Sequence, residues 1–279
     1  MDTKLIKQLR DETGYGMLDI KEALTHANGD LDKARAYLQS LKKEVSSHHR
    51  VASKGLTSVV TLDNDAILFE INGETDFLAK HPAFIELIQR VGTLLISSTA
   101  VTLKQALSIK DNEKTVQALI EEVSLITKEN LTLRRFFRIK KQPSHVFTTY
   151  KHQQGKLSIL LITAKEHILN NDLALHITSH APIYLAYHKL DQETLAFEKM
   201  RYQKEHDTYD EKAFIKYIKS LSLYDQPFIK QPDKAINELI SESHIIDFYR
   251  FELGQGIDNK LNCRLDIPCD GSKITVTPL

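Results

Sequence analysis

The 279-residue sequence predicts an α+β protein: an N-terminal three-helix bundle, then two α+β subdomains with antiparallel sheets and a short helical hairpin. Three observations carry this. The hydrophobic period is helical up to about residue 41, it becomes strand-like from Leu56, and the strand–turn–strand–helix order of the first half returns in the second. On this reading the bundle occupies 1–45, a linker 46–55, a first core subdomain 56–141 and a second 142–279. The last includes a helical hairpin at about 192–221 and a divergent C-terminal tail.

The first helix is marked by Leu5, Ile6 and Leu9 and is broken by Gly14-Tyr15-Gly16. Met17, Ile20, Ala23 and Leu24 mark the second, which Asn28-Gly29 ends. Asp30 then caps a third stripe of Leu31, Ala34, Leu38 and Leu41. Three short helices with tight turns resemble a ubiquitin-associated module, a unit near the lower size limit for independent folding. Lys42 to Lys54 is polar and basic and reads as a linker; His48-His49 within it lacks further ligands at a metal-binding spacing.

Thr57–Leu62, the turn Asp63-Asn64-Asp65 and Ala66–Ile71 read as a β-hairpin. One helix follows with Phe84, Leu87, Ile88, Val91 and Leu95 on a face, another with Val116, Leu119, Ile120 and Val123, and then a strand over Leu131–Ile139. The second half offers Val146–Tyr150, a turn around Gln154-Gly155, Leu157–Thr163, a helix near Asp172–Ser179 and a strand over Ile245–Leu253. Between them Asp191–Lys219 is highly charged, and His206-Asp207-Thr208-Tyr209-Asp210 reads as the tip of a helical hairpin.

Lysine plus arginine equals aspartate plus glutamate at 37 each, so no overall basic field draws the chain to nucleic acid. No apolar run approaches the roughly 20 residues a membrane span needs, and the N-terminus has no secretory or transit character. Cys263 and Cys269 could close a small disulfide loop, but two thiols in a chain of this size suit a reducing cytosol better. No phosphate loop and no zinc helix are present, and Gly254-Gln255-Gly256 reads as a turn or bulge. No cofactor, metal or covalent chemistry is expected. His176 and His180 lie one helical turn apart without a third ligand. Arg134, Arg135 and Arg138 around Phe136 and Phe137 raise an RNA-binding reading; alternation on a half-exposed strand is the simpler account.

The most informative stretch is Asn72-Gly73-Glu74-Thr75-Asp76-Phe77-Leu78-Ala79-Lys80-His81-Pro82-Ala83-Phe84. It follows a strand, Thr75 or Asp76 can cap the next helix, and Phe77 sits where a ring either folds onto its own core or enters a partner's pocket. The segment resembles the Thr-Asp-Phe-Val-Ala-Lys signature of bacterial elongation factor Ts, which releases GDP from elongation factor Tu. Leu9-Arg10-Asp11-Glu12-Thr13-Gly14-Tyr15-Gly16-Met17-Leu18-Asp19-Ile20-Lys21-Glu22-Ala23-Leu24 is similar to that family's opening. Gln226-Pro227-Phe228 and Arg250-Phe251-Glu252-Leu253-Gly254-Gln255-Gly256 match later blocks, in the family's order.

The resemblance implies a cytoplasmic guanine-nucleotide exchange factor of translation elongation, without catalytic residues, binding elongation factor Tu in its GDP-bound and nucleotide-free forms. It assigns Thr75, Asp76, Phe77, Leu78, Ala79 and Lys80 to the exchange wedge, and Arg10, Met17 and Leu18 to a second contact. His176 matches a family histidine near the surface that meets the partner's third domain. The family's projecting coiled coil is short here, which puts a homodimer or 2:2 complex in doubt. Pro268, Gly271 and Ile274-Thr275-Val276-Thr277 argue against the closing helix of many relatives. Alternatives are an adaptor using the N-terminal bundle to hold another protein, and an RNA-binding accessory of translation.

Overall fold

The computed structural model describes residues 3–13, 17–45, 52–206 and 209–255, with some side chains in the first three helices undescribed. The N-terminal elements are helices α1 (Thr3–Thr13), α2 (Met17–His26) and α3 (Leu31–Val45). Leu9, Ile20, Ala23, Leu24, Ala34 and Leu38 form their core. Asp30 caps α3 by accepting from the amides of Asp32 and Lys33 at 3.0 and 3.1 Å. His48 and His49 lie outside the described residues, as do Gly256 and Ile257 and the tail with Cys263 and Cys269.

Strands β1 (Lys54–Leu62) and β2 (Asp65–Gly73) form the first hairpin, and helices α4 (Pro82–Ser97) and α5 (Leu103–Leu107) follow. A small hairpin of β3 (Lys110–Asp111) and β4 (Lys114–Thr115) leads to α6 (Val116–Thr127) and then β5 (Thr132–Lys140). β5 pairs antiparallel with β2, giving the order β1-β2-β5. The second hairpin is β6 (Val146–His152) and β7 (Leu157–Thr163), followed by α7 (Asn170–His180). The helical hairpin is α8 (Gln192–Glu205) and α9 (Glu211–Leu221). Short elements β8 (Pro227–Phe228), β9 (Gln231–Ala235) and α10 (Ile236–Leu239) precede β10 (Ile245–Glu252). The second sheet runs β10-β7-β6, so in each half the second strand of a hairpin is central and the third strand returns to it across helices. The expected echo of element order is present.

The central strands are buried on both faces, with period-2 alternation deciding which neighbour each residue meets. Ile67, Phe69 and Ile71 of β2 pack under α4 and α6 with Phe84, Leu87, Val91 and Leu119. Leu157, Ile159 and Leu161 of β7 pack under α7 with Leu173, Ala174 and Ile177. The opposite faces meet each other: Val59, Ala66, Leu68 and Ile139 pack on Leu160, Ile162 and Phe251. Gly155 lets the β6–β7 turn approach β1, since a Cβ there would lie 2.6 Å from the Thr57 carbonyl oxygen. The Thr57 hydroxyl donates to the Gly155 carbonyl at 2.8 Å and lies 2.9 Å from the Ser158 hydroxyl.

The seam also buries a carboxylate. Glu70 is fully buried and accepts from Arg135 Nε at 2.6 Å, from Arg134 Nη1 at 3.1 Å and from the Gly254 amide at 2.9 Å. A β-bulge makes this possible. Glu70 pairs with Arg135 but Ile71 with Leu133, so Arg134 is the extra residue, and both guanidiniums reach one carboxylate instead of alternating. Arg135 continues to the Glu252 carbonyl at 2.9 Å and stacks 4.2 Å from the Phe251 ring centroid. Arg138 turns to the end of α4, donating to the carbonyls of Leu95 at 2.6 Å and Ala100 at 3.2 Å. The simple alternation expected of a half-exposed strand is thus broken at Arg134: Leu133, Arg135, Phe136 and Ile139 are buried, Arg134 and Arg138 half-buried, and all three arginines are bound within the fold.

Replacing Glu70 with Gln leaves Arg135 buried without a counter-charge, and the expected cost is about 3–5 kcal/mol of unfolding free energy. Urea denaturation measures it. A loss below about 1 kcal/mol, the scale of an exposed ion pair, would contradict this account of the seam.

Candidate functional site

β2 runs straight from Glu70 to Gly73, and the loop after it carries the motif. A Cβ at Gly73 would lie 2.3 Å from Leu78 Cδ2 and 3.0 Å from Glu129 Oε2, so glycine lets both close on this corner. Glu129 follows Lys128, the left-handed C-cap of α6. Its Oε2 accepts from the amides of Glu74 at 2.9 Å and Thr75 at 3.0 Å, and its Oε1 accepts from the Thr75 hydroxyl. A 3-10 turn at Leu78–Lys80 follows. Leu78 and Ala79 are buried in the first core with Phe84.

Phe77 stands between these anchors and is 84% exposed. Its ring does not fold back onto the core. Asp76 is also exposed and bridges Lys54 Nζ and Lys156 Nζ, each at 3.7 Å. Lys54 opens β1 and Lys156 precedes β7, so the loop is tied to both sheets. These residues border a cleft of about 370 Å³ that also includes His152, Arg250 and Glu252. Asp76, Phe77 and Lys80 form the exposed part of the motif.

Three expectations need correction. Neither Thr75 nor Asp76 caps α4; its N-cap is His81, without a side-chain bond, and Pro82 at the first helical position removes one free donor. Leu78 and Ala79, expected in the exchange wedge, are buried in the first core. His176, expected near the surface, is fully buried. The Ile229 amide donates to its Nδ1 at 3.2 Å, which leaves the proton on Nε2, 2.8 Å from Gln226 Oε1. Gln226 in turn donates to the Ser220 carbonyl at 2.6 Å. Both ring nitrogens of His176 are thus engaged by protein groups, and His180 stacks on the ring at 4.1 Å.

Arg10 lies on α1, and Met17 and Leu18 open α2, but their side chains lie outside the described residues. Sequence reasoning missed Glu129, Lys54 and Lys156, which hold the motif from other elements. The one signal available was an acid just past the end of the helix before β5. Among the described residues no group of three or more histidine, cysteine or acidic side chains is placed to hold a metal ion, and no helix is long and apolar enough to cross a membrane.

Burial lowers the His176 pKa to about 4, with His180 adding to the effect and the Gln226 hydrogen bond opposing it. Between that value and the ordinary 6.5 the unfolded chain binds more protons at this position than the folded one. The stability contributed by neutral His176 is therefore full above about pH 6.5 and declines as pH falls toward about 4. In chemical denaturation from pH 7 to 4, His176→Gln should show a shallower acid decline than wild type. Parallel curves would argue against the buried neutral ring.

Comparison with known proteins gives a consistent result. A sequence model of the family described as Elongation factor TS matches residues 74–255. The chain is 35% identical over 280 residues to Elongation factor Ts of Acholeplasma laidlawii (strain PG-8A), covering 92% of this chain and 94% of that protein. It is 32% identical over 276 residues to Elongation factor Ts of Phytoplasma mali (strain AT), covering 92% and 99%. For Elongation factor Ts of Aster yellows witches'-broom phytoplasma (strain AYWB) the identity is 31% over 268 residues, covering 90% and 98%.

Proposed function

The chain belongs to the elongation factor Ts family, and on that premise we propose that it is a guanine-nucleotide exchange factor for elongation factor Tu. It binds the GDP-bound form, promotes GDP release without covalent chemistry, and acts in the cytoplasm. The observation that carries this reading is Phe77, held out of the core between a carboxylate-bound strand end and a buried 3-10 turn. An exposed aromatic on an ordered support has the properties of an interface anchor.

An exchange factor works by stabilising a partner state that holds nucleotide poorly. The coupling is reciprocal: GDP weakens the factor's binding as much as the factor weakens GDP's. A ~10³-fold weakening corresponds to about 4 kcal/mol. Burying the Phe77 ring in a pocket beside the partner's Mg²⁺ and phosphate site supplies roughly 1.5–3 kcal/mol of that. Asp76 and the polar loop around it supply contacts at the rim. Arg10, Met17 and Leu18 on the N-terminal bundle give a second grip on the partner, which restrains the wedge at the nucleotide site.

The RNA-binding alternative loses its main support, because Arg134, Arg135 and Arg138 are spent on Glu70 and on backbone carbonyls. The direct test loads elongation factor Tu with fluorescent GDP and follows release against excess GDP, with catalytic amounts of this protein. Acceleration is expected, and Phe77→Ala should reduce it about 10- to 100-fold, the equivalent of the ring's burial energy. Release at the uncatalysed rate with folded wild-type protein would refute the exchange reading, and full activity of Phe77→Ala would refute the wedge.

A further inference from the structure

A side chain on a loop serves as a wedge only to the extent that the loop is ordered before encounter, because ordering at the moment of binding subtracts from affinity. The four residues Glu74–Phe77 contain no regular element, and Phe77 itself contributes little to their order, since its ring is almost free of the protein. Beside the exposed Asp76 ion pairs and the Leu78 amide that donates to the Thr75 carbonyl at 3.4 Å, the loop is held by one side chain remote in sequence. Glu129 is nearly buried and takes three hydrogen bonds from this loop, two from consecutive amides and one from the Thr75 hydroxyl. Two amides converging on one carboxylate oxygen fix the direction in which the chain leaves β2. Leu78 fixes the other end by burial against the Gly73 corner. Only Asp76 and Phe77 lie between these anchors, and both are exposed.

We propose that Glu129 is a positioning residue for nucleotide exchange, which keeps the Phe77 loop in its binding-competent conformation before the partner arrives. The inference rests on the exchange reading of Phe77. It goes beyond that reading by assigning a role to a side chain that need not touch the partner. If the competent conformer falls to a tenth of the population without Glu129, apparent affinity falls by the same factor, whereas the rate within the formed complex is unchanged. Glu129 thus acts on the half-saturating concentration, through the affinity that Phe77 contributes, whereas loss of the Phe77 ring itself lowers both affinity and the plateau rate.

The experiment is a titration of fluorescent GDP release from elongation factor Tu with full-length wild type, Glu129→Ala, Glu129→Gln, Phe77→Ala and the Glu129→Ala/Phe77→Ala double variant, with thermal midpoints recorded in parallel. For Glu129→Ala the half-saturating concentration should rise about tenfold, a change of ~1.4 kcal/mol, with the plateau near wild type. Glu129→Gln keeps an oxygen for the two amides and should recover most of the loss. In the Phe77→Ala background the Glu129 substitution should add nothing, because the group it positions is gone. An equal penalty with and without Phe77, or a lowered plateau, would overturn the assignment in favour of a general structural role. Should Glu129→Ala not fold, Glu129→Asp shortens the side chain by one methylene, draws the carboxylate back from the loop amides, and carries the same comparison with a smaller shift. Inactive wild type would remove the exchange reading and this inference together; wild-type behaviour of Glu129→Ala beside a defective Phe77→Ala would remove the inference alone.

Discussion

The buried carboxylate of Glu70, held by Arg134, Arg135 and the Gly254 amide, is the interaction on which the arrangement of the two sheets depends. The apolar seam around it supplies most of the attraction between the sheets but little direction, since Val59, Leu68, Leu160 and Ile162 would pack in several registers. A buried ion pair contributes little net stability, because desolvation of both charges offsets their attraction. Its strength is geometric. Burial of Arg135 pushes its pKa down while Glu70 pushes it up, and the guanidinium is further fixed against the Phe251 ring and the Glu252 carbonyl. An alternative register would leave these charges unpaired in the interior, at a cost of several kcal/mol.

The candidate site inherits its position from that lock. Only Ile71 and Asn72 separate Glu70 from Gly73, so the strand end that launches the loop is set by the register of the seam. The loop then draws on both halves of the molecule. Glu129 and the Leu78 pocket belong to the first sheet and its helices, and Lys156 belongs to the second. The Asp76 ion pairs are long and exposed, and pairs of that kind contribute little energy. They orient the loop over the cleft, while the bonds to Glu129 and the burial of Leu78 and Ala79 hold it. This division explains how a large aromatic remains in water in an otherwise well-packed protein: its neighbours on both sides are already committed.

Elements bounded by strong local signals were legible in the sequence. The run Leu157–Thr163 is a strand from end to end, because a turn closes one side and the buried run of Leu157 and Ile159–Ile162 dominates the rest. The cap at Asp30 and the echo of hairpin, helix and returning strand were equally readable. The short helix Leu103–Leu107 was missed, although Thr102 and Gln105 form a capping box, since one turn of helix has too little periodicity to detect. The hairpin of β3 and β4 was missed for the same reason.

By itself, the sequence determined the α+β class, the order of the long elements and the family, because these follow from local periodicity, turn chemistry and ordered motifs. It also placed Phe77 in the segment that follows a strand. Only the tertiary structure decided that Phe77 faces solvent, that Leu78 and Ala79 face the core, and that His176 is a buried hydrogen-bonded ring. It alone brought Glu129 to the loop across more than fifty residues and turned a basic strand inward through the bulge at Arg134. Such outcomes depend on partners that are distant in the chain, and a residue's own neighbours in sequence do not specify which polar group will meet it across a packed interior.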